Sequence, residues 1–100
     1  MRLTAAEVDL ETGRVDRDGT AAELRPAELA LLRYLADRPG RTVDRDEILA
    51  AVWGYRAGVR TRTLDTTVKT LRKKIEADPA RPRYVETVRG VGYRFGLEEG

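Results

Sequence analysis

The stretch Arg62-Thr63-Leu64-Asp65-Thr66-Thr67-Val68-Lys69-Thr70-Leu71-Arg72-Lys73-Lys74-Ile75 decides the fold. Leu64, Val68, Leu71 and Ile75 are spaced by four, three and four residues, so at about 100° per residue they form one apolar stripe of a helix. Arg62, Thr66, Lys69, Thr70 and Lys73 fall on the opposite side. The spacing predicts a helix from near Thr61 to about Ala77, ended by Asp78-Pro79. Thr63, Thr66, Thr67 and Thr70 are unusual on a solvated face, because threonine is a mediocre helix former and Glu, Lys or Gln is the commoner choice there. Cations and small hydroxyl side chains opposite an apolar stripe suit a helix that enters the DNA major groove, where Arg or Lys meets guanine and a threonine methyl meets thymine. The same pattern equally suits a packing helix with a tolerated polar surface.

Immediately upstream, Asp44 followed three residues later by Glu47 is a capping-box pattern that starts a helix carrying Ile48, Leu49, Val52 and Trp53 and stopping at Gly54. Before it, Pro26 suits the first position of another helix, with Leu29, Leu32, Leu35 and Ala36 on one face and its end near Asp37. Its cap is weak, since Arg25 stands where Ser, Thr or Asp is preferred. The first 24 residues read as up to four short antiparallel strands, with turns at Thr12-Gly13 and Asp18-Gly19. Downstream, Tyr84–Val88 and Tyr93–Leu97 read as strands joined across Arg89-Gly90-Val91-Gly92. The two glycines fit an ordinary hairpin on spacing alone, and Tyr84, Tyr93 and Phe95 alternate as in a half-buried one. Trp53 fits either a core anchor at a helix end or an indole donating to a phosphate.

The chain has 100 residues, 19 Lys+Arg, 17 Asp+Glu and 41% hydrophobic residues, enough for one domain with an ordinary core. It contains no Cys and no His, which excludes disulfides, zinc fingers and imidazole bases. It also lacks Ser, Asn and Gln, so Ser–His and Cys–His nucleophiles are impossible and no paired-carboxylate spacing replaces them. The expectation is a protein that is not an enzyme and has no cofactor or metal. No apolar run approaches the roughly 20 residues of a membrane span, and no signal peptide is visible. The net charge of +2 conceals segregation: residues 1–55 carry 8 Arg and 11 acids (−3), whereas residues 56–100 carry 11 cations and 6 acids (+5). That asymmetry fits a polyanion-binding half on an acidic scaffold.

Three segments in order, Ala51-Val52-Trp53-Gly54, the stretch Arg62–Ile75, and Thr87-Val88-Arg89-Gly90-Val91-Gly92-Tyr93-Arg94-Phe95, resemble the C-terminal effector domain of OmpR/PhoB-type response regulators. The resemblance spans nearly the whole chain. It implies an α+β winged helix-turn-helix over residues 1–100, with a four-stranded antiparallel sheet (1–24), three helices (26–77) and a C-terminal hairpin wing (83–97). It implies a bacterial transcriptional regulator of a two-component system that binds double-stranded promoter DNA sequence-specifically in the cytoplasm, associated with the nucleoid when bound.

Carried over by position, the resemblance places Arg62, Thr66, Thr67, Lys69, Thr70 and Lys73 at the major groove, with Thr63 and Arg72 at its edges. Arg89 takes the wing position at the minor groove, Trp53 and Thr87 take phosphate-contacting positions, and Asp65 orients neighbouring cations. Tyr55, Arg56, Val59 and Arg60 fall in a loop that resembles the family's RNA polymerase contact, although this loop has no acid. Thr67 and Thr70 depart from the His and Arg often found there. Without Asn or Gln the bidentate adenine contact is unavailable, so readout is expected to rest on guanine contacts from Lys or Arg and thymine methyl contacts from Thr. The family's receiver domain has no room in this chain, which suggests an excised effector domain. Such a domain is expected to be monomeric alone and to bind direct repeats as a head-to-tail dimer. The competing reading is a winged-helix module for protein–protein contact.

Overall fold

The structure, a computed structural model, describes residues 1–3 and 6–96. Thr4, Ala5 and Leu97, which fall in the expected N-terminal sheet and wing, lie outside the described residues. Three N-terminal strands, β1 (Glu7–Val8), β2 (Arg14–Arg17) and β3 (Thr20–Glu23), form an antiparallel meander. Where a fourth strand is expected, the described residues show a single bridge, Arg2 to Glu7. The β2–β3 turn places Asp18 at φ 51° and Gly19 at φ 80°, the two left-handed positions that make Asp-Gly a tight hairpin turn matched to strand twist.

Helix α1 (Pro26–Ala36) starts at the expected proline. The Arg25 guanidinium has no acceptor atom to cap with; Glu28 caps instead, its Oε1 accepting from Arg25 N at 2.7 Å. A short strand, β4 (Thr42–Asp44), then precedes α2 (Arg45–Trp53). Asp44 Oδ1 accepts from Asp46 N at 2.7 Å and Glu47 N at 3.2 Å, the expected cap. The reciprocal half of the box is absent, because the Glu47 carboxylate is bonded to Tyr34 Oη and Arg41. Gly54 at φ 73° ends α2 in the left-handed conformation.

Helix α3 (Thr63–Ile75) is two residues shorter at each end than the sequence predicts. At its start Thr61 Oγ1 accepts from Thr63 N at 3.1 Å, a side-chain bond outside the helix. At its end Glu76 turns extended, at φ −82° and ψ 143°. Strands β5 (Val85–Val88) and β6 (Gly92–Phe95) form the expected hairpin. The sequence gives no signal for β4, which pairs with β6 and turns the hairpin into a three-stranded sheet ordered β4-β6-β5. The wing is therefore tied to the start of α2.

Leu64, Val68, Leu71 and Ile75 are all buried, joining Leu31, Leu32, Leu35, Ile48, Leu49, Val8, Val15, Val43 and Val85 in one core. The stripe is the inner face of α3, and its opposite side is free for other work. Among the described residues no helix is long and apolar enough to cross a membrane.

Candidate nucleic-acid interface

Burial of the α3 stripe forces Arg62, Thr66, Lys69 and Lys73 outward, and all four are exposed. Arg62, Asp65, Thr66 and Lys69 line one shallow surface concavity. A neighbouring groove, lined by Arg45, Asp65, Tyr93 and the wing from Thr87 to Gly92, contains Arg89. A third, lined by Val59, Arg60, Thr61, Arg62 and Arg45, brings the end of the α2–α3 loop beside the start of α3. The three share Arg45, Arg62 or Asp65, so loop, helix and wing present one continuous surface.

Two sets of cations contrast. Arg14, Arg41, Arg45, Lys74 and Arg94 are salt-bridged within the chain. By contrast, Arg62, Lys69, Lys73 and Arg89 make no side-chain hydrogen bond or ion pair among the described residues, and all are exposed. Such a set, with the nearby Asp65 carboxylate hydrogen-bonded to Arg45 and Tyr93 and drawing on Arg62 only at a distance, leaves a net positive field, the footprint that attracts polyanions.

Asp65 is the hub that fixes the wing against α3. Its Oδ1 accepts from Arg45 Nη1 and from Tyr93 Oη, both at 2.7 Å. The Arg45 hydrogen bond, assisted by that of Tyr93, outweighs burial and holds the Asp65 carboxyl below its usual range. Burial, with the Asp65 hydrogen bond next, pushes the Tyr93 phenol up to about 12. An acid with a raised pKa stabilises the fold fully below its unfolded value, near 10, and loses that contribution as pH rises through the folded value. Stability is therefore expected to decline between about pH 10 and pH 12, and Tyr93→Phe to flatten the decline in part. Tyr34, raised by its hydrogen bond to Glu47, keeps the remainder; chemical denaturation at stepped pH measures both. An unchanged alkaline slope in Tyr93→Phe would refute the hub.

Five expected contact residues, Arg72, Thr87, Thr67, Thr63 and Thr70, engage their polar groups within the chain. Arg72 donates through Nε and Nη2 to Val85 O at 2.9 and 2.7 Å and through Nη2 to Thr87 Oγ1 at 2.8 Å, its guanidinium carbon 5.8 Å from the Tyr93 ring centre. Arg72 and Thr87 thus hold α3 to β5. Thr67 Oγ1 donates to Thr63 O, and the Thr63 and Thr61 hydroxyls meet at 2.8 Å. Thr70 Oγ1 donates to Glu28 Oε2 at 2.5 Å, with Thr67 O a further 3.1 Å acceptor. Trp53 is half-buried against the core at the end of α2. In the α2–α3 loop Tyr55, Arg56, Val59 and Arg60 are exposed, and Gly58 N is tied to Asp46 Oδ2 at 3.3 Å.

Two buried carboxylates, Glu28 and Glu76, escape sequence reasoning, each 1% exposed. Burial alone would raise Glu28, but hydrogen bonds from Lys74 (2.7 Å), Thr70 and Arg25 N hold it below the usual range. Arg45 is likewise invisible beforehand, since its partner Asp65 lies twenty positions away.

A basic, outward-facing third helix set beside a hairpin sheet, all carried on a three-helix core, defines a winged helix-turn-helix. The profile of the family described as "Transcriptional regulatory protein, C terminal" matches residues 19–95. The chain belongs to that family, the effector domains of OmpR/PhoB-type response regulators. It is 42% identical over 96 residues to the DNA-binding response regulator MtrA of Mycolicibacterium paratuberculosis, covering 96% of this chain and 43% of that protein. It is 45% identical over 88 residues to the sensory transduction protein RegX3 of Mycobacterium leprae, covering 88% of this chain and 44% of that one. The chain thus spans less than half the length of these curated relatives. Among solved structures, the Klebsiella pneumoniae RstA DNA-binding domain in complex with the RstA box matches with a TM-score of 0.78 at 28% identity, over 96% of this chain and 95% of that one. The Thermotoga maritima response regulator DrrB, an OmpR/PhoB homologue, matches with a TM-score of 0.79 at 35% identity, over 97% of this chain and 44% of that one.

Proposed function

We propose that this chain binds double-stranded promoter DNA sequence-specifically as the effector part of a two-component transcriptional regulator in the bacterial cytoplasm. Helix α3 enters the major groove and the wing reaches the minor groove through Arg89. The observation that carries this reading is the set of exposed cations Arg62, Lys69, Lys73 and Arg89, which have no ion pair among the described residues, in a chain whose other basic side chains are in several cases neutralised internally. Lys69, with Arg62, reads base edges, while Lys73 and Trp53 meet the backbone. Arg72 and Thr87 act by holding the wing to α3, so their loss weakens binding to every sequence. Two copies bind head-to-tail on direct repeats about one helical turn apart, and the loop from Tyr55 to Arg60 faces RNA polymerase.

Selection of bound sites from a random duplex library, followed by salt titration of the selected site, tests this. Affinity is expected to fall with salt at about 0.9 log units per log unit for each neutralised phosphate. The selected site should outcompete scrambled duplex. Lys69→Ala is expected to lose about 1–3 kcal/mol at particular base pairs and to relax preference there, with binding to scrambled duplex reduced much less. Equal binding to all duplexes at every salt concentration would overturn the proposal and favour a protein partner for the basic surface.

A further inference from the structure

We infer that Glu28 makes position 70 a reader of the thymine methyl group, by engaging the Thr70 hydroxyl and leaving its methyl as the group offered to the major groove. The inference rests on the DNA-binding reading above and extends it to one side chain's chemistry. Glu28 lies on α1 and is 1% exposed, so its carboxylate is a fixed interior acceptor. Lys74 Nζ at 2.7 Å and Arg25 N at 2.7 Å both donate to Oε1, and these partners keep the group ionised. An ionised carboxylate only accepts, so at the 2.5 Å contact the hydrogen belongs to Thr70 Oγ1. The Thr67 carbonyl, 3.1 Å from the same oxygen, adds a second acceptor on that side. A hydroxyl has one hydrogen, and here it points into the protein. Thr70 therefore cannot donate to guanine O6 or N7 or to thymine O4, and its oxygen, which keeps lone pairs, is held on the side of buried Glu28 and the Thr67 carbonyl, away from the exposed face. What remains is the methyl, whose complement among the base edges of the major groove is the thymine C5-methyl.

Glu28 is accordingly a positioning residue, acting on DNA only through Thr70. A replacement with the hydroxyl but no methyl, and one with methyls but no hydroxyl, separate the two modes of reading. The experiment uses the selected operator with each thymine in turn replaced by deoxyuridine, which deletes only the C5-methyl. Wild-type protein is expected to lose roughly fourfold in affinity at one thymine position, the scale of one buried methyl group. Thr70→Val should keep that thymine-over-uracil ratio, and Thr70→Ser, which can still donate to Glu28, should bring it close to one. Glu28→Ala, which removes the acceptor and is checked for folding by circular dichroism, should lower the ratio by freeing the side chain at position 70, and an unchanged ratio in the folded variant would overturn the role of Glu28. If Thr70→Ser keeps the ratio and Thr70→Val loses it, or if no thymine is sensitive while the operator still outcompetes scrambled duplex, the inference is overturned. If the protein prefers no duplex at all, it is the DNA-binding reading that fails.

Discussion

Glu76→Leu is expected to lower the unfolding free energy by about 2–6 kcal/mol, from two buried backbone donors left without partners at about 1–3 kcal/mol each. The Glu76 carboxylate receives three consecutive backbone N–H groups: Arg83 N at 2.8 Å and Tyr84 N at 3.2 Å on Oε1, and Tyr84 N at 3.1 Å and Val85 N at 2.9 Å on Oε2. Tyr84 and Val85 are buried, so water cannot replace the lost acceptor. Leucine fills similar space and accepts nothing. Glu76→Gln should fall between wild type and leucine, because its amide keeps one acceptor oxygen but turns an NH2 donor toward other donors. Small domains are stable by about 5–15 kcal/mol in total, so the leucine variant removes a large share. Urea unfolding should show a lower midpoint at an unchanged m-value. A loss below about 1 kcal/mol for leucine would mean that the carboxylate is incidental to the entry into β5.

Glu76 also marks where the sequence stops being informative. The inner face of α3 is legible because helical periodicity is local: Leu64, Val68, Leu71 and Ile75 carry it within twelve positions, and all are buried. The outward Arg62, Thr66, Lys69 and Lys73 follow from the same geometry. Caps and turns are local too, so Asp44, Gly54 and Asp18-Gly19 behave as read. Strand β4 is three residues long, too short to express a period of two, and exists because β6 supplies a partner. Likewise Arg72, Thr70 and Thr87 cannot be distinguished by spacing from residues whose polar groups are free, since their partners Val85, Glu28 and Arg72 lie 13 to 42 positions away. The N-terminal half, acidic in sum, contributes the interior carboxylate of Glu28 that occupies the Thr70 hydroxyl. What the residue types leave open is which of the polar side chains on α3 are already spoken for.

Gly92→Ala is the second large effect, and it separates two glycines that look equivalent in the sequence. A Cβ at position 92 would lie 2.0 Å from Val43 O and 3.0 Å from Arg45 N, both backbone atoms that cannot swing aside. Gly92 pairs with Asp44 on one side and Val88 on the other, while Arg45 N donates to Val91 O at 3.1 Å. Relief of the clash must separate β4 from β6, moving the Asp44 cap and the wing together. The expected loss is about 3 kcal/mol, the upper end for overpacking, because here backbone must move. Gly90 lies at φ 77° with nothing within 4 Å of its would-be Cβ, so Gly90→Ala incurs only left-handed strain of about 1–2 kcal/mol. Thermal and urea unfolding should rank the two variants in that order. Affinity for the selected operator and for scrambled duplex should both fall in Gly92→Ala, since the displaced wing carries Arg89 away from its place beside α3. A Gly92→Ala protein as stable as Gly90→Ala would show that β4 does not fix the wing, and the link from the first half of the chain to the proposed minor-groove contact would be lost.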